Sequence, residues 1–140
     1  MLKFKNSEIA QTINFLSRIS LKTKASRSRT VLIKKLSEKF EEFSKFQEEI
    51  FNKFAKKNKE GELDRDEQGA IHWEAEHIKE GNEALQELLD EEVFINIEEY
   101  RPNIKFLLLA LGELDMELSG QDALIYDLIM DKLEEETKGE

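Results

Sequence analysis

The chain has 140 residues, 37% of them charged and 39% apolar, with one proline and no cysteine. That balance favours helices over sandwiches and disorder, and the missing cysteine excludes disulfides, thiolate metal sites and a cysteine nucleophile. The net charge of −10 divides sharply: residues 1–60 hold fifteen Lys/Arg against seven Asp/Glu, and residues 61–140 hold six against twenty-four.

The length sets one domain, 1–140, as the expectation. No apolar run follows the basic residues near Met1, so no signal peptide is expected. The longest apolar block, Phe106 to Leu111, falls far short of the roughly 20 residues a membrane helix needs. These features predict a soluble protein with no membrane contact, and the lack of cysteine fits a reducing cytosol.

In chain order, Leu2 and Phe4 alternate with Lys3 and Lys5, a short strand pattern. Asn6 or Ser7 suits a helix cap, and Ile9, Ile13, Leu16 and Ile19 give the following helix one apolar face. The polar, basic stretch Ser20–Ser28 reads as a connector, with Ser26 or Ser28 capping the next helix. Ile33, Leu36, Phe40, Phe43, Gln47, Ile50 and Phe54 then form a heptad seam with one polar position. The spacing predicts a helix of about 30 residues, roughly 45 Å long. Phe46 and Phe51 widen its apolar face into either core or a partner-binding groove.

Lys56–Gly69 is a charged loop with two glycines. A second helix is expected from Ile71, because Ile71, Ile78 and Leu85 are seven apart, with Gly81-Asn82 weakening its middle. Two apolar-striped helices around a loop predict an antiparallel hairpin whose basic first arm faces an acidic second arm. Val93, Ile95 and Ile97 alternate with Phe94 and Asn96, so residues 93–97 form a strand expected to pair with residues 2–4. Pro102 suits a helix start, and Ile104, Leu107, Leu108, Leu111 and Leu114 are its stripe. Ser119-Gly120-Gln121-Asp122 resembles a capping box for a last helix bearing Ala123, Tyr126, Ile129, Met130 and Leu133 and fraying over Glu134–Glu140. The fold class is mainly α: a long antiparallel helical hairpin, two C-terminal helices and a small two-stranded β ribbon. No internal repeat stands out.

Two clusters are candidate docking surfaces. Lys22, Lys24, Arg27, Arg29 and Lys34, with Arg18 and Lys35, place seven cations in eighteen residues, suited to phosphates or an acidic protein face. The ordinary alternative is a solvated connector balanced by the acidic half; no aromatics interleave to stack bases. Glu80, Glu83, Glu87 and Glu91, with Asp127 and Asp131, are candidates for a basic partner, and aligned carboxylates of this kind can mimic nucleic-acid phosphates. Asp64-Arg65-Asp66-Glu67-Gln68-Gly69 partly matches a calcium loop, but Ala75 stands where the bidentate Glu belongs. His72 and His77 are five apart, a spacing that turns the rings away from each other on a helix. Glu91-Glu92 and Glu98-Glu99 read as ordinary surface carboxylates. No catalytic, metal or cofactor residue is assigned, and no enzyme activity is expected.

The string Leu21-Lys22-Thr23-Lys24-Ala25-Ser26-Arg27-Ser28-Arg29-Thr30, then Lys56-Lys57 before Gly61, Glu91-Glu92-Val93-Phe94-Ile95 and Leu118-Ser119-Gly120-Gln121-Asp122-Ala123 occur in one order. As a set they resemble a family of small, uncharacterised proteins from phages and prophages of Gram-positive bacteria. The resemblance covers most of the chain; the loop after Gly61 is its poorly patterned part. It implies expression in the cytoplasm of an infected bacterial host, and no known activity, cofactor or catalytic residue. The expectation is a non-enzymatic phage protein that binds a host or phage protein complex. It would inhibit or modulate a host system such as a CRISPR or other defence complex, or act in virion assembly or as a minor structural component. Nucleic-acid contact through the basic connector stays open, as does the oligomeric state.

Overall fold

Residues 1–138 are described by a computed structural model. The element order is β1 (Leu2–Lys5), α1 (Asn6–Arg18), α2 (Thr23–Phe54), α3 (Ile78–Asp90), β2 (Glu92–Ile95), α4 (Arg101–Gly112) and α5 (Gly120–Thr137). Short 3-10 turns, Ala75–His77 and Glu98–Tyr100, lead into α3 and α4. The chain is therefore mainly α with a small β ribbon. It divides into two units, residues 1–40 with 92–140 and residues 41–91.

In the first unit the expected pairing forms, with the second strand ending at Ile95 rather than Ile97. β1 and β2 are antiparallel, with Leu2 opposite Ile95 and Phe4 opposite Val93. Leu2, Phe4, Ile95 and Ile97 are buried on one face and join the core. Beneath them lie Ile9, Phe15 and Leu16 of α1, Leu32 and Leu36 of α2, Ile104, Leu107 and Leu111 of α4, and Ile125, Ile129 and Leu133 of α5. The Tyr126 hydroxyl donates to the Leu111 carbonyl at 2.8 Å, which fixes α5 against α4.

Several local expectations are corrected. The expected connector Ser20–Ser28 is shorter, ending at Lys22: α2 begins at Thr23, and the Ser26 amide already donates to the Lys22 carbonyl at 2.8 Å. Ala25 and Ser28 are buried one helical turn apart, and with Leu32 and Leu36 they form the face of α2 turned to the core. Lys5, rather than Asn6 or Ser7, occupies the cap position of α1, where its amide donates to the Glu8 carboxylate at 2.7 Å. Ser119 does cap α5, but its side chain makes no cap bond, and Asp122 pairs with Arg18 instead of closing a capping box. α5 does not fray at Glu134: Leu133 is buried and Glu136 is anchored, so the helix runs on to Thr137. Gly139 and Glu140, the end of that expected fraying stretch, lie outside the described residues.

In the second unit the last part of α2 lies beside α3. Phe54 packs at a tilt against His77, 5.6 Å between ring centroids, while Phe46 and Ile50 share a groove with Ala84 and Leu88. Of the phenylalanine stripe, Phe43 and Phe51 are buried, whereas Phe40 and Phe46 reach solvent. Residues 41–54 carry four Glu against two Lys, so the expected neutralisation of a basic arm by an acidic one is corrected: both stretches here are acidic. The basic residues of α2 belong to its first part. By unit, residues 41–91 hold seven Lys/Arg against sixteen Asp/Glu, and the remainder hold fourteen against fifteen.

The expected helix start at Ile71 is also corrected. Ile71 and Trp73 are extended and bridge Arg65 and Ala55, and Ile78 opens α3 with 52% of its surface exposed. The loop before them contains one turn used twice. Asn58 Oδ1 accepts from the amides of Glu60 and Glu62, and Asp66 Oδ1 accepts from those of Gln68 and Ala70. Gly61 and Gly69, each three residues on, have φ of 81° and 82°. An Asx side chain closing a tight turn onto a left-handed glycine is ordinary hairpin chemistry. That pairing of Asp and Gly accounts for the calcium-like pattern.

Candidate functional site

Two open grooves lie on the first unit. The first, about 460 Å³, runs between the start of α2 and the outer side of α4 and is lined by Lys22, Lys24, Phe106, Leu109 and Ala110, with Glu113 at its end. Lys24 Nζ sits 5.1 Å from the Phe106 ring centre, and Arg27, one turn along α2, is exposed. Phe106 is 46% exposed and Leu109 65%, so this face combines cations with open apolar surface. Lys34 is exposed two turns beyond Arg27 on α2.

Arg29 has a different place. Its guanidinium donates to the carbonyls of Leu16 (3.3 Å) and Ile19 and to Ser26 Oγ (2.7 Å). Those carbonyls end α1 and lack helical partners, so Arg29 satisfies the helix terminus from a neighbouring helix. Arg29→Ala is expected to lower stability by about 1–3 kcal/mol, measured by urea unfolding, because part-buried acceptors lose their donors. A change within experimental error would remove this role.

The second groove, about 710 Å³, lies between β1 and α5. Met1, Leu2, Phe94 and Leu128 supply its apolar surface, and Asp131 and Glu135 stand on the α5 side. Its cations are engaged locally: Lys3 pairs with Glu92 at 3.6 Å, and Lys132 meets Glu8 at 3.7 Å while its Nζ lies 4.8 Å from the Phe4 ring centre. Lys132 also donates to the Lys3 carbonyl, which blocks part of the open edge of β1. Leu124, Asp127, Leu128 and Asp131 follow one another at helical spacing, so the acidic candidates Asp127 and Asp131 share the outer face of α5 with Leu124, itself 65% exposed.

The other strong charge contacts hold helices together. Arg101 binds both Glu98 oxygens (2.8 and 3.0 Å) and reaches Glu136 at 3.0 Å, where the N-terminal amine also arrives. Arg18 binds Asp122 at 2.7 and 3.3 Å, joining α1 to α5. Hydrogen bonds from these guanidinium groups hold the Glu98 and Asp122 carboxyls below the usual carboxylate range, and the Ala70 amide does the same first for Asp66. A carboxyl depressed on folding adds stability above its unfolded pKa and loses it as pH falls through the folded value. Melting temperature should therefore decline from about pH 5 towards pH 2, and Asp122→Asn should flatten that decline. An identical acid slope in the variant would contradict the assignment.

Glu80, Glu83, Glu87 and Glu91 lie in the second unit. Glu80 is 3.4 Å from His77 Nδ1 and Glu83 is 4.0 Å from Lys79. Glu87 and Glu91 line the groove of about 370 Å³ that holds Phe46 and Ile50. His72 meets Asp66 at 3.2 Å, and among the described residues no three His, Asp or Glu side chains converge as a cation site. Phe94, Phe106, Leu109 and Leu124 were not among the candidate site residues. Their signal was width: Phe106–Leu111 is apolar all round a helix, and Leu124 and Leu128 lie off the Ile125, Ile129, Leu133 face.

Comparison with known proteins adds a family and no activity. The whole chain, residues 1–140, matches the family described as "Protein of unknown function (DUF1617)", and the chain belongs to that family. Curated proteins and solved structures give no match.

Proposed function

We propose that this chain is a phage-encoded, non-enzymatic protein that acts inside an infected bacterium by binding a host complex. It inhibits or modulates a system such as a CRISPR or other defence complex. The observation that carries the binding role is a pair of oppositely charged exposed faces on the first unit, Lys24 beside Phe106 and Leu109 with Arg27 one turn along α2, and Asp127 and Asp131 beside Leu124 on α5. Exposed apolar side chains beside charges of one sign suit macromolecular recognition: the apolar part supplies affinity, and the charges supply steering and partner choice. The phage setting is supported by the motif order from Leu21–Thr30 through Glu91–Ile95 to Leu118–Ala123.

The test is affinity purification of the tagged chain from infected cells. The proposal expects a host protein assembly to co-purify, to be released as salt rises, and to be lost when either groove's charges are reversed. Recovery of the chain only in mature virions, with no host protein attached, would overturn it in favour of virion assembly. Nucleic acid as the sole co-purifying species would assign the basic groove alone.

A further inference from the structure

The first unit carries an exposed cationic face on α2 and an exposed acidic face on α5. We propose that copies of this chain associate head to tail, the Lys24 and Arg27 face of one copy on the Asp127 and Asp131 face of the next. Three observations support a second copy as the occupant. All four charged side chains are exposed. Each face has an equally open leucine at its side, Leu109 on one and Leu124 on the other. The net charge of −10 lies almost wholly in residues 41–91, so the surplus that repels copies falls outside both faces, while the first unit that carries them is almost neutral, with fourteen cations against fifteen anions.

The faces are different patches, so the contact is heterologous. Such a contact leaves one cationic and one anionic face free at the ends of a dimer and continues into a ring or an open chain. The free end faces remain available for the host partner.

The experiment is analytical ultracentrifugation of the intact chain from low micromolar to near-millimolar concentration. The wild type should grow in mass with concentration and dissociate as salt is raised. K24E/R27E and D127K/D131K should each weaken association by about tenfold or more. An equimolar mixture of the two variants should regain it, since their altered faces are complementary again. Leu109→Ser and Leu124→Ser should weaken association without changing charge, and an unchanged far-UV spectrum would confirm that each variant is folded. A wild type that stays monomeric throughout would overturn the proposal. So would association indifferent to both reversals, or reversals that weaken it with no recovery on mixing. None of these failures touches host binding, which is read from infected cells.

Discussion

Replacing Phe15 by alanine is expected to lower the unfolding free energy by about 3–5 kcal/mol. Phe15 is 1% exposed and sits where α1 packs on α5, with its ring edge-on to Tyr126 at 6.2 Å between centroids. Removing it leaves an unfilled cavity in the core cluster it shares with Ile9, Leu16 and Ile129, and Tyr126, bonded to α4, loses its ring neighbour. A domain of ordinary stability has only about 5–15 kcal/mol in total, so the variant should be marginal at room temperature. Leu109→Ala, on the open face of α4, should stay within about 0.5 kcal/mol of wild type. Guanidinium unfolding checks both, and a Phe15→Ala loss below about 1 kcal/mol would mean that α1 and α5 are not packed as described.

Gly81→Ala is expected to destabilise although alanine is the better helix former. A Cβ at Gly81 would lie 2.4 Å from Trp73 Cε3 and 2.5 Å from Cδ2, ring atoms that cannot move without the whole indole. The ring is held on its other sides by Phe51, at 5.8 Å between centroids, and by its own Nε1–H bond to Asn82 at 2.8 Å. Overpacking typically costs about 1–3 kcal/mol. The helix-propensity gain is at most about 1 kcal/mol. The net effect is a loss. With Trp73 already changed to alanine the clash is gone, and the same Gly81→Ala substitution should become neutral or stabilising. That reversal of sign, read from thermal melts followed by circular dichroism, is the decisive result. Trp73 is the sole tryptophan, so in Gly81→Ala its fluorescence should also shift towards the solvent-exposed value. Stabilisation by Gly81→Ala in the wild-type background would refute the packing.

The same pair of residues shows what the sequence conceals. Gly81 reads as a weak point in a helix, because a missing side chain gives no sign of the ring that fills its place. Ile71, Ile78 and Leu85 fit a heptad, yet Ile71 and Trp73 also alternate with His72 and Glu74, and over four residues the two periods cannot be separated. The hairpin turns of the preceding loop settle the matter in favour of extended chain, and their Asn58…Gly61 and Asp66…Gly69 signatures were present but lay within a run of charge. By contrast the β ribbon was legible, because Leu2–Phe4 and the stretch from Val93 were the good strand candidates and each had one to pair with. Pro102 marked the start of α4 for the reason that a first-turn residue needs no amide.

The candidate site was legible as charge and illegible as surface. Lys22, Lys24, Arg27 and Arg29 look alike in a string of cations, and only the position of the α1 terminus separates Arg29 from the others. Asp127 and Asp131 were visible, but their value as a patch comes from Leu124 and Leu128 on the same side of α5, which the stripe of Ala123, Tyr126, Ile129, Met130 and Leu133 leaves out.

Hydrogen exchange of the chain, free and bound to the assembly recovered from infected cells, tests most directly the claim that the first unit carries the docking faces. New protection is predicted in residues 124–135 of α5, or in residues 22–27 with 105–110, and none in the turns Asn58–Glu62 and Asp66–Ala70. Protection confined to residues 41–91 would contradict the account.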